Sequence, residues 1–170
     1  MASLFTARYS NLVSKLILFT SCTVHPSGWS GWDAIKVNIA IRVFHPLSQL
    51  IGYFPGNVIG FGGREARGVM KDWCKNGLSG QYSLLHSNFD YELALRQTKQ
   101  EILCVTFTGD ELATSKAAQN LYNKFHPTTK IQHLHLDAQE LKLNKPYHFG
   151  WTKHPERFSN MIHKFAQGNE

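Results

Sequence analysis

Two side chains in the second half of the sequence are of the types that move protons in catalysis. Asp110 lies in a T-G-D-E turn after an apolar run, and His148 lies in the stretch K-P-Y-H-F-G-W. An imidazole can act as the general base for a nucleophile, and a carboxylate bonded to it fixes its tautomer and stabilises the imidazolium. An aspartate and a histidine are common residue types, so the elements that position them decide whether they meet.

The apolar runs Leu16–Cys22 and Ile102–Phe107 are typical of buried strands, as in parallel sheets. Lys130–Leu136 is predicted as a third strand. Helical patterns accompany them at residues 2–14, 90–98, 113–125 and 157–167. This alternation predicts an α/β fold with a parallel sheet. Because the carboxyl ends of parallel strands meet at one rim, we expect Asp110 and His148 within or near hydrogen-bond reach.

The stretch between His25 and Tyr82 shows no good strand pattern. Asp33 is placed to cap a helix whose apolar residues recur every four positions as far as Ile51, and Pro46 is expected to kink or end that helix. A second helix is predicted from about Glu65 to Lys75, where Asn76-Gly77 follows. The sequence therefore predicts a single domain over 1–170, with a helical insertion at about 25–82.

Two motifs add a resemblance to a known family. The stretch F-T-G-D-E-L-A-T at 107–114, together with H-F-G-W at 148–151, resembles the C-terminal half of an α/β-hydrolase and is similar to a bacterial subgroup of predicted α/β-hydrolases. The segment 52–73, G-Y-F-P-G-N-V-I-G-F-G-G-R-E-A-R-G-V-M-K-D-W, resembles the lid of that subgroup. The resemblance implies a partial α/β-hydrolase fold, with three parallel strands, flanking helices and a helical lid insertion.

The resemblance also implies roles for single residues. The triad of this family runs Ser, then Asp or Glu, then His along the chain, so Asp110 matches the acid and His148 the base. The implied reaction is hydrolysis of a small ester or acyl substrate, with no cofactor. In that fold the serine precedes the strand that matches Leu16–Cys22, so we expect it upstream of Met1. The chain is then expected to be a truncated C-terminal fragment that is inactive alone.

No serine of the chain lies in a sequence context that matches the missing nucleophile. Ser30 in G-W-S-G-W and Ser79 in G-L-S-G-Q each lack the final glycine of G-x-S-x-G, and neither is predicted at a strand-to-helix turn. Ser3 has no glycines around it. We therefore assign no nucleophile.

Tryptophans and histidines offer two further interpretations. Trp29, Trp32 and Trp73 are candidates for an apolar substrate pocket under the lid, or else they form the core of the lid. His133 and His135 share one strand face, but no H-E-x-x-H motif or paired cysteine accompanies them. We assign no metal site.

The composition restricts the classes of binding partner and the cellular locations that are expected for the chain. The net charge of +6 comes from scattered Lys and Arg, which favours a plain basic surface over nucleic-acid binding. Three widely spaced cysteines favour reduced thiols and a cytoplasmic location. No apolar run is long enough for a membrane span.

The apolar run Leu16–Cys22 is predicted to form an unpaired edge of the sheet, because the strand next to it in the hydrolase fold is expected to be missing. Such an edge can pair with a strand of another chain. We expect a separately encoded N-terminal half or self-association to cover it. The isolated chain is then expected to be oligomeric, aggregated or poorly folded, and Leu18→Lys to improve its solubility. The alternative function is a non-catalytic protein-interaction module or half of a split hydrolase.

Overall fold

The computed structural model describes residues 1–168, which divide into two compact units. The sheet unit contains Met1–Cys22 and the described residues from Leu93 onward, and the inserted unit is Thr23–Glu92. The insertion predicted at about 25–82 lies inside Thr23–Glu92. That the insertion and the sheet unit form a single domain stays a prediction.

Most elements follow one another with short connections, but longer loops precede α5 and α7. The strands are β1 (Lys15–Phe19), β2 (Phe54–Pro55), β3 (Arg64–Glu65), β4 (Glu101–Phe107) and β5 (Ile131–Leu136). The α-helices are α1 (Ala2–Arg8), α2 (Gly31–Ile51), α3 (Gly56–Ile59), α4 (Arg67–Ser79), α5 (Tyr91–Gln97), α6 (Ser115–Tyr122), α7 (Tyr147–Gly150) and α8 (Glu156–Gln167). Short 3₁₀ turns lie at Ser10–Leu12, Pro26–Gly28 and Trp151–Lys153.

The sheet of the first unit has the order β1-β4-β5, and both pairings are parallel. The register places Leu16 beside Ile102, and Ile102 beside Ile131. The predicted α/β fold, with three parallel strands and flanking helices, is confirmed. Within the described residues, β1 and β5 each have one neighbouring strand and form the two edges.

The core of the sheet unit is built around the central strand β4. Every residue from Ile102 to Phe107 is buried, as the unbroken apolar run of the sequence indicated. One face of the sheet carries a cluster of buried side chains from β4, the segment after β5 and α8: Leu103, Val105, Phe107, Ala138, Leu143 and Phe158. This cluster joins α8 and the segment after β5 to the central strand.

Strand β1 is shorter than predicted and points its leucines inward. It ends at Phe19, because Thr20 has φ +44° and leaves the extended conformation. Leu18 is only 3% exposed. A lysine there would bring an ammonium group into an apolar interior, which is costly. The burial of Leu18 therefore argues against the expectation that Leu18→Lys improves solubility.

The inserted unit is built on the packing of α2 against α4. A Cβ at Gly77 would lie 2.4 Å from Ile41 Cγ2, so the two helices approach closely at this glycine. Gly77 therefore continues α4, which ends at Ser79 before Gly80 in the left-handed conformation, and not at Asn76-Gly77 as predicted. Pro46 lies inside α2 and does not end it.

Two features of the inserted unit differ from the sequence prediction. The two-residue strands β2 and β3 pair antiparallel, where no strand was expected. In α2 the buried residues are Ile41 and Ser48, whereas Ile35, Ile39 and Val43 are exposed. No helix among residues 1–168 combines the length and the apolarity that crossing a bilayer requires.

Candidate active site

Asp110 and His148 lie within hydrogen-bond distance of each other, as the sequence predicted. His148 Nδ1 is 3.1 Å from Asp110 Oδ2. The Asp110 side chain is 1% exposed and that of His148 is 20% exposed, so the carboxylate is buried while the imidazole reaches solvent. This is the arrangement by which an acid orients a base.

The Asp110 carboxylate is fixed by the turn that follows β4. Its Oδ1 accepts hydrogen bonds from the backbone N–H groups of Leu112 and Ala113, both at 3.0 Å. Gly109 makes the turn with φ +78°, a conformation that glycine adopts without a steric cost. One carboxylate oxygen is thus held by the backbone, and the other is directed at His148.

Both the backbone and the ring of His148 have contacts that hold them in place. Its carbonyl accepts a hydrogen bond from Thr20 Oγ1 at 3.2 Å, and the ring of Phe149 meets the imidazole edge to face at 4.6 Å. Gly150, which ends α7, packs so tightly that a Cβ would lie 2.1 Å from the Asn144 carbonyl oxygen. The sequence prediction missed Thr20, for which the only signal was a run of hydroxyl and thiol residues after the strand.

The contact with Asp110 favours the tautomer of His148 that carries its proton on Nδ1. An ionised carboxylate only accepts hydrogen bonds, so Nδ1 must donate its proton to Oδ2. Nε2 then presents a lone pair. Among residues 1–168 no hydrogen bond to Nε2 is formed, and this nitrogen is therefore available to accept a proton.

The two hydroxyl groups that directly follow β1 are bonded elsewhere. Ser21 Oγ donates to the Phe19 carbonyl at 3.0 Å, and Thr20 Oγ1 donates to the His148 carbonyl. Ser30 directly precedes α2, and Ser79 ends α4 with its hydroxyl bonded to the Lys75 carbonyl. Neither follows a strand, so neither has the geometry of a nucleophile elbow.

Cys22, whose thiol contacts the turn that contains Asp110, is not an alternative nucleophile. Cys22 Sγ lies 3.5 Å from the Leu112 carbonyl oxygen. Burial, followed by the charge of Asp110, raises the pKa of the Cys22 thiol to about 12. Since the thiolate is the reactive form, this thiol is inert at neutral pH.

Comparisons with known proteins give structural matches only. A scan against protein-family models finds no match, and no curated protein matches the chain. The structure of Rv0554 from Mycobacterium tuberculosis matches with a TM-score of 0.49 and 12% identity, over 99% of this chain and 62% of that one. BpoC from Mycobacterium tuberculosis H37Rv, named as a candidate non-heme bromoperoxidase, matches with a TM-score of 0.49 and 11% identity, over 99% and 63%. The chain thus spans less than two thirds of the length of either structure.

The three tryptophans proposed for a substrate pocket have different surroundings. Trp29 is buried, whereas Trp32 is 76% exposed. The Trp73 ring packs against the rings of Phe44 and Phe61 at centroid distances of 5.7 and 5.4 Å. Trp73 therefore contributes to an aromatic core of the inserted unit. The pocket role of the three residues stays a prediction.

His133 and His135 share one face of β5, and both bond to one hydroxyl. Thr106 Oγ1 lies 2.8 Å from His133 Nε2 and 2.9 Å from His135 Nδ1. Burial, followed by the neighbouring His135, lowers the pKa of His133. In the part of the chain that the structure describes, no three metal-ligating side chains come together.

Replacing Gly109 by Ala is expected to lower the free energy of unfolding by about 1–3 kcal/mol, because alanine is strained at φ +78°. Its Cβ would also lie 3.1 Å from the Tyr147 ring, next to His148. Urea denaturation measures the change. Gly68→Ala in α4 is the control, since a Cβ there meets nothing within 4 Å and the expected effect is zero or slightly stabilising. Equal effects of the two substitutions would contradict a strained turn at Gly109.

Proposed function

We propose that Asp110 and His148 are the acid and the base of a serine-hydrolase triad of the α/β-hydrolase type, acting on a small ester or acyl substrate. The observation that carries the proposal is the 3.1 Å contact from His148 Nδ1 to Asp110 Oδ2, with Nε2 left free to accept a proton. The reaction class comes from the resemblance of residues 107–114 and 148–151 to that family.

The nucleophile in this proposal comes from a segment other than residues 1–168. When a serine hydroxyl attacks the acyl carbon, His148 Nε2 takes its proton, and the buried Asp110 carboxylate stabilises the resulting imidazolium. His148 then gives the proton to the departing alcohol. In the second half of the reaction, Nε2 takes a proton from a water that attacks the acyl carbon, and it returns that proton to the serine oxygen as the acid is released. The segment that bears the serine would also supply a backbone N–H for the oxyanion hole.

The chain alone is expected to show no His148-dependent ester hydrolysis. Purified chain and the His148→Ala variant should hydrolyse a p-nitrophenyl ester at the same rate, because loss of the nucleophile alone costs many orders of magnitude. A burst of nitrophenol that depends on His148 would show that the chain has its own nucleophile.

Complementation tests the proposal itself. The DNA upstream of the Met1 codon is read for an apolar strand followed by G-x-S-x-G, and the encoded segment is co-expressed with this chain. Ester hydrolysis should then appear and depend on both His148 and the added serine. A serine-bearing segment that binds the chain but restores no His148-dependent hydrolysis would refute the assignment.

A second candidate function is supported by the open edge of the sheet. Among the described residues β1 pairs with β4 alone, and no proline or charge interrupts Leu16–Phe19. Such an edge can accept a strand from another chain, either a separate N-terminal half or a second copy. Under this hypothesis the chain is a non-catalytic interaction module. Association that persists in the Asp110→Asn and His148→Ala variants, without hydrolysis in any form, would favour it.

We further propose a cytoplasmic location. The three cysteines are free thiols, and two of them, Cys74 and Cys104, are buried. Unpaired thiols are typical of proteins in reducing compartments.

A further inference from the structure

We infer that Thr20 is a positioning residue that holds the base of the dyad through a hydrogen bond to the His148 backbone; its importance for catalysis rests on the proposed function. Thr20 Oγ1 lies 3.2 Å from the His148 carbonyl oxygen and donates to it, although the two residues are 128 positions apart in sequence. This bond connects the end of β1 to the helix that carries His148.

The backbone of Thr20 is unusual for its residue type. Its φ of +44° lies in the left-handed region, where a β-branched residue is an outlier. Such a conformation costs free energy and persists only where the surroundings fix it. Here the Thr20 N–H donates to the Val105 carbonyl at 2.9 Å, and the residue is buried. The sheet thus holds Thr20 in place, and Thr20 in turn provides a fixed point for His148.

The position of His148 requires such a fixed point. Asp110 is anchored by two backbone N–H groups within its own turn, directly after β4. His148 follows β5 only after the loop from Asp137 to Pro146, so its distance from the sheet depends on what it contacts there. The hydroxyl of Thr20 supplies a contact from β1. The separation of Nδ1 and Oδ2 is therefore set by anchors on both partners.

The same bond explains why Thr20 is a positioning residue and not the nucleophile. Its hydroxyl hydrogen is directed at the carbonyl oxygen of His148, and no contact joins Oγ1 to Nε2. A hydroxyl that serves as nucleophile must donate its proton to the base.

The test follows the Nδ1 proton of His148 by ¹H NMR on the whole chain. A proton held between Nδ1 and a buried carboxylate should give a low-field signal that exchanges slowly with water and disappears in the His148→Ala variant. Thr20→Val removes the hydroxyl and keeps the shape of the side chain. It should speed this exchange about threefold to tenfold, in line with the loss of one hydrogen bond.

Two further variants separate the hydrogen bond from backbone strain and from general destabilisation. Thr20→Ser keeps the hydroxyl and should restore exchange to within about twofold of the original rate. Thr20→Gly relieves the positive φ and lacks the hydroxyl, so it should speed the exchange without lowering the melting temperature. The inference is overturned if Thr20→Val leaves the exchange unchanged, or if backbone amides throughout β4 accelerate by the same factor. Since the measurement needs no serine, a failed complementation would remove the proposed function and leave this result standing.

Discussion

Replacing Asp110 by Asn is expected to reduce the ester hydrolysis of the complemented enzyme about 10⁴-fold while the chain stays folded. The Leu112 and Ala113 N–H groups need an acceptor, so the amide oxygen should take the place of Oδ1. The amide nitrogen then faces His148. Since an amide N–H₂ only donates, His148 Nδ1 must become the acceptor and its proton must move to Nε2. A protonated Nε2 can no longer take the proton of a serine.

The measurement compares kcat/KM for a p-nitrophenyl ester between the complemented enzyme and its variants. Asp137→Asn provides a matched control, because Asp137 Oδ1 likewise accepts two backbone N–H groups, from Gln139 at 2.7 Å and Glu140 at 3.1 Å, but lies exposed and has no histidine partner. This control should retain activity within about twofold. An Asp110→Asn enzyme within about tenfold of the original would remove Asp110 from the triad.

The part of the fold that carries the dyad was predictable because its central strand β4 is buried on both faces and is almost continuously apolar. Both β4 and the edge strand β5, whose residues are partly buried or exposed, were placed to within one residue. Once the strands are parallel, their carboxyl ends must share a rim. The meeting of Asp110 and His148 follows from that geometry, whereas their catalytic role stays a proposal.

Other features depend on contacts that no local pattern encodes. Helix α2 has apolar residues on more than one face, so the four-residue recurrence indicated a helix but not that Ile41 would be its buried side. Gly77 follows Asn76 as a terminator would, yet it serves as a contact point with Ile41. The left-handed Thr20 could not be predicted either, because its conformation is fixed by β4 and not by its neighbours in sequence.

Phe158 joins the helix α8 to the sheet. It is 2% exposed, and its ring meets those of Phe19 at 5.4 Å, Phe107 at 5.8 Å and Trp151 at 6.4 Å between centroids. Trp151 directly follows α7, which carries His148. The packing of Phe158 thus supports both the core and the segment that presents the base.

Replacing Phe158 by Ala is expected to lower the free energy of unfolding by about 3–5 kcal/mol, since the surrounding rings cannot collapse fully into the space left by the phenyl group. A loss of this size is a large fraction of the roughly 5–15 kcal/mol by which domains are stable. Urea denaturation followed by tryptophan fluorescence and far-UV circular dichroism measures it, with the m-value checked for a change in two-state behaviour. Phe5→Ala is the control, because Phe5 is 52% exposed on α1, and its expected cost is below about 1 kcal/mol. If both substitutions lower the free energy of unfolding by less than about 1 kcal/mol, the packing of Phe158 does not hold α8 against the sheet. The segment that carries His148 must then be stabilised by other contacts.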